Sequence, residues 1–336
     1  MDAENRRVFC ALGVSAPRQR LKPTAGGKCG VEAETGFSGL TTYGQTGNDT
    51  IYAGTGNDTV NGGDGNDLIY GEEGNDTLYG DAGNDILCGG AGADSIDGGD
   101  GNDVLTYHTA TAGILLDLTG AVANQGDAAG DTVTNVEQIS GTAYNDTMRA
   151  ADQGIILAGG AGNDVLIGGS GNDSLFGEEG QDELQGGAGN DLLAGGAGND
   201  IYVLSAGIQA DQVREQANEG NDYIYVASDV SQIQVGKNGT NLIIASSNGT
   251  DGFIIQDWFT TQSVEYLAFQ SNGAVYNLAD VVAAYIPTAA SSADTVRTAA
   301  VNTQLAAMST EAADDFAADV QIVGTTADVA EALVLA

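Results

Sequence analysis

A period of nine residues dominates this sequence. From Gly44 the chain reads GQTGNDTIY, AGTGNDTVN, GGDGNDLIY, GEEGNDTLY, GDAGNDILC, GGAGADSID and GGDGNDVLT without a gap. From Gly159 it reads GGAGNDVLI, GGSGNDSLF, GEEGQDELQ, GGAGNDLLA and GGAGNDIYV. Of 51 glycines, 31 lie in these two blocks. In each unit six positions of Gly, Asn and Asp predict a turn, and three residues centred on a large apolar one predict a short strand. Gly at positions one, two and four is expected to supply positive φ and close backbone approach. Asn at position five, as in Asn48, Asn66 and Asn163, is expected to take the left-handed region. Alternation turns the middle strand residue inward, giving an apolar file of Ile51, Val60, Ile69, Leu78, Leu87, Ile96 and Leu105, then Leu166, Leu175, Leu184 and Leu193. Three-residue strands cannot stand alone. The expected fold is therefore all-β, a right-handed parallel β-roll in which successive units alternate between two facing sheets.

Such a roll stacks each unit on the next but one, and the sixth-position carboxylates stack with it. Asp49 falls under Asp67, Asp58 under Asp76, Asp67 under Asp85, Asp76 under Asp94 and Asp85 under Asp103. The second block adds Asp164 under Asp182, Asp173 under Asp191 and Asp182 under Asp200. At about one strand spacing, each pair repels by about 0.8 kcal/mol in water and about 3 kcal/mol at an effective dielectric of about 20. Summed over the file, this is roughly 6 to 27 kcal/mol, against a net domain stability of about 5 to 15 kcal/mol. A bare roll is expected not to fold. A hard divalent cation removes the repulsion, and oxygen ligands without nitrogen or sulfur favour Ca²⁺. The expected metal ligands are Asp49, Asp58, Asp67, Asp76, Asp85, Asp94, Asp103, Asp164, Asp173, Asp182, Asp191 and Asp200, holding roughly eight ions. Turn propensity alone does not call for Asp at one position in all twelve units. The pattern GGxGxDxUx, with U a large apolar residue, resembles the RTX, or haemolysin-type calcium-binding, repeat family. The resemblance implies that backbone carbonyls of the Gly-rich turns complete each site. It also implies export by a type I secretion apparatus from a Gram-negative-type bacterium.

Around the two blocks the chain divides into an N-terminal segment 1–43 expected to be poorly ordered, block one at 44–106, a spacer at 107–158, block two at 159–203, a β-rich cap at 204–285 and a tail at 286–336. The spacer breaks the period, yet GTAYNDTMR at 141–149 is a degenerate unit in register with block two, with Tyr144 in place of the fourth glycine. The unit after it has Ile155 where Asp belongs, so weak or no calcium binding is expected there. GILLDL at 113–118 and the following DTVTNVEQISG are similar to spacers between RTX blocks. Alternating apolar residues in NLIIA, GFIIQDWF and VEYLAFQSNGAVYNL predict strands that cover the open end of the roll, with Trp258 in the core of that cap. The tail carries no basic residue after Arg297 and ends in an apolar stretch. It resembles the uncleaved C-terminal export signal of type I substrates and is expected to be irregular or partly helical. Near the N-terminus, Asn5-Arg6-Arg7 faintly matches a twin-arginine signal, but Pro17 after Ala16 opposes cleavage. Cys10 and Cys29 are candidates for pairing in an oxidising compartment, and Cys88 is expected on an outward strand position.

Charge narrows the function classes. Ten Lys and Arg against 47 Asp and Glu give a formal charge of −37, which opposes binding to nucleic acid. No apolar stretch is long enough to cross a bilayer as a helix. H-E-x-x-H and G-x-S-x-G are absent, and the single histidine, His108, is expected in a solvated turn. With 43 residues ahead of the repeats, no catalytic domain is expected there, and a carboxylate-only glycosidase within 204–285 would be unusual. The leading reading is a secreted, non-enzymatic calcium-binding protein, extracellular or associated with the cell surface. It would act in adhesion, a surface layer or host interaction, with cell-surface polysaccharide or a host surface as partner. The alternative is a calcium-folded secretion module of an exported enzyme or toxin of the protease, lipase, epimerase or pore-forming type.

Overall fold

Apolar residues one turn apart meet in a computed structural model of the chain, which describes residues 20–23, 29–32, 39, 41–151, 154–205, 207–215, 219–227, 233–246, 251–270 and 274–285. Ile51, Ile69, Leu87 and Leu105 are direct partners in successive parallel strands. Val60, Leu78 and Ile96 form the facing row. All seven are at most 1% exposed. Burial of this kind contributes about 1.5 to 3 kcal/mol per large aliphatic side chain, which is why strands this short persist once stacked. The result is a parallel β-solenoid, with one fourteen-stranded sheet facing an eight-stranded and a five-stranded one.

Most strands of the blocks are longer than the three residues expected, Thr50–Tyr52 and Val104–Thr106 keeping that length. Thr59–Asp64, Leu68–Glu73, Thr77–Ala82 and Ile86–Ala91 each run on through the glycine positions. The reason is the stacking of turns as well as strands: Gly47 N–H donates to the Asp64 carbonyl, Gly56 to Glu73 and Gly65 to Ala82 at 2.6–2.7 Å. Backbone groups in the bends therefore have ladder partners too.

The long sheet runs without interruption through the spacer. Leu105 pairs with Ile139, Ile139 with Leu157, Leu157 with Leu175 and Leu175 with Leu193. On the opposite face the chain changes order. Leu115–Asp117 starts the eight-stranded sheet beside Thr147–Arg149, and the chain then returns so that Thr132–Thr134 closes the five-stranded sheet beside Ser95–Asp100. This leap forward and back is why the spacer does not fit a multiple of nine. The degenerate unit with Tyr144 and the unit with Ile155 both join the ladder, through Thr147–Arg149 and Ile156–Ala161.

Both ends are covered. From the segment expected to be poorly ordered, an antiparallel hairpin of Arg20–Pro23 and Cys29–Glu32 adds to the sheet edge at Thr50–Tyr52, with Val31 and Ile51 partners in the backbone register. An exposed terminal apolar layer favours such a cover. At the other end Tyr223–Val226, Gly252–Ile255 and Tyr266–Phe269 continue the parallel coil. Antiparallel Ile233–Asn238, Asn241–Ser246 and Ala274–Asn277 then finish the two sheets. Trp258 is buried there, its indole N–H donating to the Val264 carbonyl at 2.8 Å. Cys88 sits on the outward file beside Tyr70 but is not exposed there: the spacer folds over it, and the buried Sγ lies 3.3 Å from Thr109 Oγ1. His108 is exposed, as expected of a turn residue, with its ring edge-on to Tyr70. Cys10, the twin-arginine-like stretch and the tail from 286 lie outside the described residues.

Candidate metal centre

Each unit places its aspartate at the end of a turn, where the backbone enters the next strand. The carboxylate reaches back toward the preceding coil. Asp67 Oδ1 accepts the backbone N–H of Asp49, and the same bond, 18 residues apart, links Asp76 to Asp58, Asp85 to Asp67, Asp94 to Asp76 and Asp103 to Asp85 at 2.7–2.8 Å. In the second block Asp182, Asp191 and Asp200 accept from Asp164, Asp173 and Asp182 at 2.8 Å. The twelve nonapeptide aspartates are all at most 2% exposed.

One oxygen is thus used and the other is not. The Oδ2 atoms of Asp67, Asp76, Asp85, Asp94, Asp103, Asp164, Asp173, Asp182, Asp191 and Asp200 are buried without a hydrogen-bond donor. A buried carboxylate oxygen lacking a partner carries a large desolvation cost. Burial accordingly raises Asp76, Asp173 and Asp182 to about 7, Asp164 and Asp200 to about 8, and Asp85 and Asp191 to about 6. Charges of stacked neighbours push the same way for Asp76, where Asp94 and Asp58 contribute.

First-position glycines shape the space beside these oxygens. A Cβ on Gly71 would lie 2.5 Å from both Asp76 Oδ2 and the Gly89 carbonyl oxygen, and one on Gly62 would collide with Asp67 Oδ2 and the Gly80 carbonyl. These glycines do not need positive φ; they need the absence of a side chain. Positive φ falls instead on positions two and four, and at position two Gln45, Glu72, Asp81 and Glu178 adopt it as well. Position five also departs from expectation. Its asparagines are not left-handed; in most of them the side-chain oxygen accepts the backbone N–H one coil above, as from Asn66 to Asn48 and Asn84 to Asn66 at 3.1 Å. Two parallel side-chain ladders, one of amides and one of carboxylates, tie coil to coil.

These features fit a hard cation. Among the described residues no three His, Cys, Asp or Glu side chains converge to hold an ion by themselves; the oxygens on offer to a cation are those of the carboxylates and of the turn carbonyls facing them, and both types suit Ca²⁺. The family model of the RTX calcium-binding nonapeptide repeat (4 copies) matches residues 43–78, 70–105, 156–184 and 177–208. Both files are RTX repeats. RTX repeats bind Ca²⁺, are typically non-catalytic and belong to proteins generally secreted by bacteria. Among solved structures, the crystal structure of the extracellular lipase LipA from Serratia marcescens is similar over 67% of this chain, at 16% identity and a TM-score of 0.27. The chain spans 42% of that lipase's length. No curated protein matches the chain. Among the described residues no helix is long and apolar enough to cross a membrane.

The RTX carboxylate ladder extends past the residues singled out by the period. Asp94 donates its N–H to Asp131 Oδ1, 37 residues on, and Asp103 to Glu137 Oε2, 34 on. Asp146 is joined to Asp164 at 3.0 Å, and its own Oδ1 accepts from Ile114 at 3.2 Å. Ile155 donates to Asp173 Oδ1 at 2.8 Å but brings no carboxylate of its own. Beyond block two, Asp191 donates to Asp211, Asp200 to Asp222 and Asp222 to Glu265. Offsets other than 18 hid Asp131, Glu137, Asp211, Asp222 and Glu265. The run Glu219-Gly220-Asn221-Asp222 was a readable signal, since it repeats positions three to six of a unit, and Asn221 joins the amide ladder through Asn199 at 2.8 Å. Two buried tyrosines meet this ladder: Tyr107 donates to Asp131 Oδ2 at 2.9 Å, and Tyr202 donates to Glu215 Oε1.

Proposed function

We propose that this is a secreted, non-catalytic RTX protein whose roll forms when Ca²⁺ binds outside the cell, and that it acts in adhesion, a surface layer or contact with a host. The observation carrying the reading is the row of buried Oδ2 atoms without donors beside side-chain-free turns. Asp49, Asp58, Asp67, Asp76, Asp85, Asp94 and Asp103 would hold the ions of the first block, with Asp164, Asp173, Asp182, Asp191 and Asp200 holding those of the second, roughly eight in all. Bound calcium would supply positive charge and coordination to oxygens that the folded chain otherwise leaves without partners. Because the unfolded chain has no preformed sites, binding free energy appears as folding free energy. Scarce calcium in a cytosol would keep the chain expanded and able to pass a type I exporter. Extracellular calcium, at about 10⁻⁴ to 10⁻³ M, matches the affinity of extracellular sites.

Far-UV circular dichroism and small-angle scattering during a calcium titration, with magnesium as control, test the reading. A cooperative gain of β signal and a falling radius with calcium alone are expected. Full β content in excess chelator would overturn it.

A further inference from the structure

Glu215 lies outside the nonapeptides and beyond residue 208, where the family match ends. Strand Leu192–Gly198 pairs with Ala210–Val213 so that Leu193 meets Val213, which carries Glu215 opposite Gly195 at an offset of 20. In a regular coil that place belongs to another first-position glycine, whose carbonyl faces the aspartate below: a Cβ on Gly177 would collide with both Asp182 Oδ2 and the Gly195 carbonyl oxygen. Above Gly195 the pattern changes. The atoms nearest to a Cβ built there all belong to Asp200, and the Glu215 side chain turns back into the coil. Its Oε1 accepts the N–H groups of Gly195 and Gly196 at 2.8 and 3.2 Å and the Tyr202 hydroxyl. Three donors on one oxygen fix the carboxylate and leave Oε2 buried without a donor, as Asp200 Oδ2 is. Glu215 is 7% exposed and Asp200 0%.

We propose that Glu215 and Asp200 together hold a further hard divalent cation at the end of the second file, the Glu215 Oε2 taking the part that a turn carbonyl plays in the regular coils. A charged oxygen replaces a neutral one, and greater ligand charge tightens a calcium site. The Tyr202 hydroxyl is a positioning group. By loading Oε1 it directs Oε2 to the ion and sets an aromatic donor next to it.

The inference rests on the reading of the repeats as calcium sites, so its test carries a comparator. In the full chain, Glu215→Gln keeps an acceptor for the three donors and removes the charge. Calcium stoichiometry by isothermal titration and flow dialysis is expected to fall by one ion, with the β signal at saturating calcium retained. Asp76→Asn, in the other block, should lose ions independently. Undiminished stoichiometry and affinity in Glu215→Gln while Asp76→Asn loses ions would overturn this proposal alone. No loss in either would overturn the calcium-file reading and this proposal with it. If Glu215→Gln does not fold, Tyr202→Phe decides through terbium luminescence excited by tyrosine. A marked fall in sensitised emission supports the site, and unchanged emission rejects it.

Discussion

Asp76 donates its backbone N–H to Asp94 Oδ1 and receives that of Asp58 on its own Oδ1. Its Oδ2 remains buried without a donor, and the pKa rises to about 7, mainly through burial. The ordinary carboxylate value near 4 holds in the unfolded chain, so the folded state binds more protons. Without calcium these groups support folding below about pH 4, and that support is lost as pH rises through about 6 to 8. Calcium-free protein is therefore expected to gain β signal on acidification from pH 8 to about 5. Circular dichroism in chelator across that window checks it, and a flat or falling β signal would count against the buried file. The sixth-position aspartates were legible because one residue type recurs at one place in every unit. Asparagine at position five was visible but its role was not: a φ preference and a side-chain ladder ask for the same residue, and only the stacked coils distinguish them.

At the scale of the element, the spacer joins the blocks into one sheet while weakening the carboxylate ladder. Asp146 connects upward to Asp164 but receives only the N–H of Ile114 from below, and Ile155 removes the neighbouring carboxylate altogether. Asp76→Ala, with a carboxylate neighbour on either side, should therefore lose more calcium than Asp146→Ala. Ion counts by flow dialysis decide the order, and equal losses would contradict it. Sequence periodicity located the blocks and their apolar file, because a regular coil repeats in sequence what it repeats in space. It could not follow the chain where Leu115–Asp117 leaps ahead of Thr132–Thr134, since nothing in a linear pattern marks an exchange of order along the axis. The same irregular offsets concealed Asp131, Glu137, Asp211, Asp222 and Glu265, and the cover that the spacer lays over Cys88.

Across the whole molecule the formal charge is −37, and roughly eight divalent ions would reduce it to about −21. Simple salt acts on the wrong part of that charge. Exposed carboxylates such as Glu73 and Asp100 are screened within about 10 Å at 0.1 M salt, whereas the buried file is screened much less. Raising sodium chloride to about 1 M in excess chelator should leave the β signal low, while millimolar calcium at low ionic strength restores it; full recovery by sodium chloride would show that general repulsion, not the file, governs folding. The ladder also has a sense of direction. In the regular coils each aspartate N–H finds its acceptor 18 residues later in the chain, so no coil can complete its own bonds until its successor has been made. Shortening the roll from its C-terminal side strands the aspartate N–H donors of the newly exposed coil, whereas shortening it from the N-terminal side strands asparagine N–H donors instead, since Asn66 donates back to Asn48; each cut end is left with its own row of unpaired donors.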